Sequence, residues 1–253
     1  MYQAFQGFAN GGAIMKSRVL VPERMDDPSI DPVEHRRALN GLRRVNKLCQ
    51  TGKHVAKEIL AIAKKNNRNS ITVLDLGCGS GDVATDVGRR LASQIECKVY
   101  GWDISKTAVD YATKAWSTSQ DRLPASRRSS VEMHFQQIDV FQPTILKFDV
   151  VYCCLFLHHF TERQAVQLLE RMKGVATLSV LVDDLVRSRV GYTLAQIGCQ
   201  LLSRSPVVHF DGPQSVRAAF TESEACELAA QAGLKPCTTR RHWPERYLLR
   251  WDA

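Results

Sequence analysis

The sequence predicts an α/β fold: a doubly wound sheet of seven mostly parallel strands, the last strand running against the others. Three observations carry this. Short apolar runs alternate with helix-patterned segments from Ile71 onward, the pattern of strands joined by crossover helices. The first run, "ITVLDLG", ends in a glycine corner, Gly77-x-Gly79-x-Gly81, that opens a helix. The last two runs, "KPCTTRRHW" and "ERYLLRWDA", are separated only by a tight turn at Pro244. Parallel neighbours need a long crossover, so these two are antiparallel.

The elements follow in order. Residues 1–34 are loop-like and carry Gly11–Gly12, Pro22, Pro28 and Pro32. From His35 to about Lys65 the spacing is helical, through Leu39, Leu42, Val45 and Leu48 and then Val55, Ile59 and Ile62, with Gly52 as the expected break. Residues 1–66 thus form an N-terminal segment with cap helices, and residues 67–253 form the sheet domain. After the first strand, Asp82–Ser93 reads as a helix, "CKVYGWD" as the second strand, and "SKTAVDYATKAW" as a helix with Ser105 as its N-cap. A polar loop, 117–130, leads to strands "VEMHFQQID" and "FDVVYCCL". "TERQAVQLLERM" is a helix capped by Thr161, "ATLSVLVDDL" a fifth strand, and "TESEACELAAQAGL" a helix with a Thr221–Glu224 capping box and a Gly233 stop. Residues 188–220 interrupt the alternation with an apolar helix near Val190–Leu202 and a loop around Pro206–Pro213. That is too long and too apolar for a plain connection, and it reads as a lid or substrate-facing insertion.

Composition narrows the classes. No apolar run approaches the ~18 residues of a membrane span, and the first residues lack the pattern of a secretory signal. Eight scattered cysteines form no C-x-x-C pair; this predicts a reduced, cytoplasmic protein with no disulfide framework and no metal centre. The net charge of +8 invites a nucleic-acid reading. The basic residues fall in small clusters rather than a stripe, however, which fits a solvated surface that attracts anionic ligands.

The glycine corner lets backbone touch a ligand at the carboxyl edge of the sheet, where open parallel sheets bind ligands. Asp82 stands where a dinucleotide fingerprint wants glycine or alanine, and it would repel a pyrophosphate at that helix start. NAD is therefore not expected. Asp75, two residues before Gly77, can fix the N–H groups of the corner or meet a ligand ammonium. Asp103 ends the second strand, where a carboxylate accepts from both hydroxyls of an unphosphorylated ribose; the alternative is an N-cap for the next helix. Asp139, followed by Val140 and Phe141, can hold an adenine amino group and stack its ring.

"LDLGCGSGD", the acid of "GWDIS", "QQIDVF" and "FDVVYCCLFLHHF" resemble, in order and spacing, the four motifs of class I S-adenosylmethionine-dependent methyltransferases. The resemblance is to the small-molecule branch that includes the ubiquinone and menaquinone methylases, and it covers about residues 70–182. "MDDPSIDPVEHRRALNGLRRVN" and "SRSPVVHFDGPQSVRAAFT" further resemble a bacterial subgroup tied to phenolic or polyketide-type metabolites. The resemblance implies a Rossmann-like sheet, S-adenosyl-L-methionine as cofactor, and a set of roles. Gly77, Cys78, Gly79 and Gly81 would line the methionine half. Asp103 would grip the ribose with Ile104 against the adenine, and Asp139 and Val140 would meet the adenine edge. Cys154 and Leu155 would sit near the transferred methyl. Many relatives place a polar Ser or Asn where this chain has Cys154, and a thiol is a weak donor; a backbone contact is the firmer expectation there.

Methyl transfer to a phenolic oxygen asks for alignment, exclusion of water and loss of the phenol proton. Candidates for the last are His158 and His159 after the fourth strand, His209 beside Asp211 in the insertion, and Asp183 with Asp184 at the end of the fifth strand; packing and capping are the alternatives. Arg44, beside Arg43 and Asn46 on the first cap helix, can neutralise the methionine carboxylate. Tyr192, Leu194, Ile197 and Leu201 suggest an aromatic or lipid-like acceptor. The leading expectation is O-methylation of a phenolic, quinone-like or polyketide-type small molecule, with C-methylation beside it. An RNA or protein substrate is disfavoured because "CCLF" replaces an N-P-P-[YF] tetrad and no RNA-binding module is evident. A non-catalytic cofactor-binding protein is the remaining class.

Overall fold

The computed structural model describes Met15 and residues 17–27, 29–120 and 124–253; Gly11–Gly12, Pro28 and the centre of the polar loop, 121–123, lie outside the described residues. The strands are β1 (Ser70–Leu76), β2 (Glu96–Asp103), β3 (Val131–Gln137), β4 (Phe148–Cys154), β5 (Ala176–Leu185), β6 (Cys237–His242) and β7 (Arg246–Asp252). They form one sheet of order β3-β2-β1-β4-β5-β7-β6. β1 to β5 are mutually parallel, and β7 runs antiparallel to both β5 and β6. The expected reversed strand is therefore β7, slotted between β5 and β6.

The helices are α1 (Pro32–Cys49), α2 (Thr51–Lys65), α3 (Asp82–Leu91), α4 (Lys106–Gln120), α5 (Ala125–Arg128), α6 (Glu162–Val175), α7 (Arg189–Leu202), α8 (Pro206–Ala218) and α9 (Glu222–Gln231). Successive strand residues face opposite sides, and both sides are dry. Ile71, Val73, Val99, Val150, Tyr152 and Leu181 pack under α2 and α3. Leu74, Leu76, Val151, Cys153, Val180 and Val182 pack under α6 and α9. Residues buried on both faces explain the continuous apolar runs, and Cys153 behaves in them as a small hydrophobe.

The caps expected at Thr161 and Thr221 form. Each hydroxyl accepts from the backbone N–H three residues on, and Gln164 or Glu224 returns the bond to the cap N–H. Thr221→Ala should lower stability by about 1 kcal/mol, read as a fall of roughly 2–4 °C in thermal midpoint. Gly233 ends its helix at φ +74°, a left-handed stop that glycine makes without a Cβ penalty.

Three expectations need correction. The break between α1 and α2 is at Gln50, left-handed at φ 54°, and not at Gly52. Gly52 lies in the first turn of α2, where an added Cβ would sit 2.5 Å from Asp86 Oδ2; it is glycine for packing. The loop expected around Pro206–Pro213 is α8. Pro206 occupies the first turn, where proline costs no hydrogen bond, and burial of Val208, Val216 and Ala218 carries the helix through Pro213. The polar loop starts later than expected, because α4 runs to Gln120. α8 packs on α7, and both pack on α1, with Ala38, Cys199 and Val208 at the join. The N-terminal cap and the insertion are thus one helical layer at the carboxyl edge of the sheet.

Candidate active site

β1 delivers the glycine corner. Gly77, Gly79 and Gly81 all have positive φ (+68°, +51°, +66°), yet their bareness serves different ends. A Cβ on Gly77 would meet the Phe156 ring at 2.5 Å, and one on Gly81 would meet the Phe135 ring at 2.7 Å. A Cβ on Gly79 would meet nothing within 4 Å. Gly79 is the position where backbone faces open space and a ligand can come to contact. The corner is held rigidly: Gly77 N and Cys78 N both donate to Trp102 O, at 2.9 and 3.1 Å.

Asp103 completes the brace. Its Oδ2 accepts from Gly79 N at 2.8 Å and its Oδ1 from Ser105 N at 2.8 Å. Burial raises its carboxyl above the usual range against those two bonds. The N-cap of α4 is Ser105, whose hydroxyl accepts from Ala108 N at 3.3 Å, so the capping alternative for Asp103 is not what forms. Each carboxylate oxygen keeps a further lone pair. Beside it, Ile104 is 70% exposed, a large apolar side chain on offer at the mouth of the corner.

Asp75 does not hold the corner's N–H groups: Trp102 O takes those of Gly77 and Cys78, and Asp103 takes that of Gly79. Asp75 is buried, its Oδ1 lacks a hydrogen-bond partner among the described residues, and burial pushes its carboxyl well up against the neighbouring Tyr152 hydroxyl, with the charges of Asp82 and Asp103 adding to the rise. A buried carboxyl with an unpartnered oxygen is costly, and here it lies on the strand that leads into the corner. Asp82 is engaged by Ser80 Oγ (2.7 Å) and by Asn46 Nδ2 of α1 (3.1 Å). A carboxylate thus already serves the start of α3, which agrees with the exclusion of a pyrophosphate.

The next edge residues close the crevice. Asp139 Oδ1 accepts from Phe141 N at 2.9 Å, and Val140 is buried. At the end of β4, Cys154 keeps a neutral thiol, since burial raises it well above its ordinary value. Leu155 is left-handed at φ 51°, a conformation costing a non-glycine residue about 1–2 kcal/mol. Its N–H donates to Asp183 O at 2.8 Å, and the turn sets Phe156 against Gly77.

The histidines and acids expected as bases separate. His158 is buried, with Nδ1 2.7 Å from Asp184 Oδ1 and Nε2 3.4 Å from Glu23 Oε1. Burial opposes its charge, but Asp184 and Glu23 outweigh it and hold the ring's pKa up at about 10. His159 sits 2.8 Å from Asp26 Oδ2 and keeps 19% side-chain exposure. Asp183 points to the other face of the sheet, fully enclosed by His242 Nε2 (2.7 Å) and Arg246 (3.5 Å). His209 Nε2 lies 2.8 Å from Ser203 O, away from the Asp211 carboxylate, which accepts from Arg24 N and Met25 N. Arg44 donates to Leu202 O at 2.9 Å and lines a basic depression of about 630 Å³ with Arg36, Arg37, Asn40 and Arg204. The α1 residues that engage the acids of the corner are instead Asn46, which donates to Asp82, and the buried His35, which feels the charge of Asp103.

Sequence reasoning named Asn46 only as a neighbour of Arg44, and it missed Glu23, Asp26, His35 and Phe156 as site residues. Phe156 could have been suspected from its place one step past the fourth strand. Glu23 and Asp26 had no local signal, because their partners lie more than 130 residues away.

The family model described as a methyltransferase domain matches residues 73–177. A search of curated protein sequences finds no match. Among solved structures, the plantazolicin methyltransferase BpumL in complex with SAH aligns at 15% identity, over 89% of this chain and 90% of its own, with a TM-score of 0.62. Magnesium protoporphyrin IX methyltransferase (ChlM) from Synechocystis PCC 6803, with bound SAH, aligns at 19% over 89% of each chain, TM-score 0.53. A Nostoc punctiforme PCC 73102 protein described as an O-methyltransferase aligns at 16% over 81% of this chain, TM-score 0.56, and this chain spans 57% of its length. Such identities speak for the fold. The order β3-β2-β1-β4-β5-β7-β6 and the braced corner therefore give the chain the class I S-adenosylmethionine-dependent methyltransferase fold, and its residues 73–177 match the model of the methyltransferase-domain family.

Proposed function

We propose that this enzyme transfers the methyl group of S-adenosyl-L-methionine to an oxygen of a small hydroxylated aromatic, quinone-like or polyketide-type acceptor. The observation that carries the cofactor part is the corner itself: Gly79 faces open space next to a braced carboxylate and the exposed Ile104. The residues present fit the cofactor. Asp103 has lone pairs left for the ribose hydroxyls, Ile104 offers a face for the adenine with Asp139 and Val140 at its edge, and the Gly77–Gly81 backbone and Leu155 border the methionine half. The orphaned Asp75 Oδ1 supplies an acceptor for the cofactor's ammonium side. When bound, the cofactor supplies a methyl already activated on a sulfonium.

The chain's own contribution is then to align the acceptor and keep water out, which positioning can make worth about 7–11 kcal/mol. The helical layer of α1, α7 and α8 is the cover, with residues 188–220 as its acceptor-facing part. Ile197 and Leu201, 54% and 79% exposed, favour an apolar acceptor. Of the groups first considered for proton handling, Asp183 is sealed off and His209 is tied to backbone. His159 is partly exposed, and its ring lies 5.9 Å from that of Phe156.

The test is incubation with methyl-labelled cofactor and two pools, phenolic metabolites and total RNA. Label is expected in the organic-extractable phenols, on oxygen. Label on ring carbon would convert the reading to C-methylation, and label in RNA alone would overturn it.

A further inference from the structure

Glu23, His158 and His159 bring one oxygen and two ring nitrogens together at the edge of the sheet. Glu23 Oε1 lies 3.4 Å from His158 Nε2 and 3.9 Å from His159 Nε2, and the donor atoms of the three residues all fall within 4.8 Å of one another. Two metal–ligand bonds of about 2.0–2.1 Å at a tetrahedral angle separate their donors by about 3.4 Å. The opposite ring nitrogens are each held by a carboxylate: His158 Nδ1 by Asp184 at 2.7 Å, His159 Nδ1 by Asp26 at 2.8 Å. Carboxylates in that position orient metal-bound imidazoles and leave the inner nitrogen as the ligand.

The two rings lie side by side, centroids 4.5 Å apart, with both Nε2 atoms turned toward Glu23 Oε1. A single divalent ion serves all three atoms at once.

The geometry points to a divalent transition-metal site on Glu23, His158 and His159, with Asp184 and Asp26 as the groups that fix the two rings. Imidazole-rich donors select Zn²⁺-class ions over Mg²⁺ or Ca²⁺, and three protein ligands leave one position open. The surroundings are built for it. Ser215 Oγ donates to Glu23, and Asp211 of α8 accepts from the backbone N–H of Arg24 and Met25. Arg18, stacked on Phe220, donates to His158 O and Phe160 O. The ion would bolt residues 23–26 and the Leu157–His159 turn together at the crevice. The binding claim stands apart from which acceptor is methylated.

The experiment uses the full chain without a histidine tag, stripped with a chelator and titrated with Co²⁺, then Zn²⁺. One equivalent of Co²⁺ should bind with the visible absorption of a four- or five-coordinate ion, and Zn²⁺ should displace it and raise the thermal midpoint. His159→Ala should weaken binding by more than about a hundredfold, and Asp26→Asn, at an exposed orienting group, by about 10–100-fold. His134→Ala, remote from the cluster, should bind as the native chain does. Absence of stoichiometric Co²⁺ binding by the folded native protein, or native affinity in both His159→Ala and Asp26→Asn, would overturn the site. SAH titration of the same stripped sample reads the cofactor assignment separately, so failure of one does not stand for failure of the other.

Discussion

Asp103→Ala weakens binding of S-adenosylmethionine, or of its demethylated product, by at least about tenfold in isothermal titration, a cost of at least about 1.4 kcal/mol. Two effects add. On the proposed assignment the ribose hydroxyls lose a charged acceptor, and hydrogen bonds to charged groups contribute about 1.5–3 kcal/mol. Gly79 N–H, 2.8 Å from Asp103 Oδ2, also loses its partner, so the corner that must present bare backbone is released. Asp103→Asn is the informative companion. The amide keeps the shape and can still accept one backbone bond, but it turns an N–H donor toward the second. Its affinity should fall as well, with the fold kept by circular dichroism. Unchanged affinity in Asp103→Ala would remove this carboxylate from the cofactor site.

Asp183→Ala acts on stability. Asp183 and Arg246 are 0% and 2% exposed at their side chains, and His242 Nε2 lies 2.7 Å from the same carboxylate. Removing one partner of a buried ion pair leaves the other charge uncompensated, which costs about 3–5 kcal/mol. Urea unfolding should show the midpoint drop with the slope preserved, and Asp183→Asn should fall between. Thr51 Oγ1, 2.5 Å from the Arg246 guanidinium, cannot replace the lost charge. A variant as stable as the native chain but slow in turnover would instead return Asp183 to the chemistry.

Much of this was legible in the sequence, for identifiable reasons. Strands buried on both faces read as apolar runs, and local devices such as Ser105, Thr161, the Thr221–Glu224 pair and Gly233 announce helix ends within three residues. The corner is legible because positive φ at three places leaves glycine little competition. What escaped depends on distance along the chain. Pro206 and Pro213 look like breakers until the burial of Val208 and Val216 is seen. The opposite directions of Asp183 and Asp184 follow from strand alternation, but nothing in the sequence says that one would meet Arg246 and the other His158. Glu23 sits in a stretch whose partners are on α8 and past β4, so its convergence with two histidines exists only in the folded chain.

That pair of adjacent acids has a consequence for how β5 can vary. Its two faces carry unlike duties one residue apart, a structural lock toward α2 and a support for the crevice toward α6. Inserting or deleting a single residue upstream in the strand would turn each acid to the opposite face, so that neither duty keeps its carboxylate together with its partner. Length change there is penalised twice over, so divergence in this strand should proceed by substitution alone.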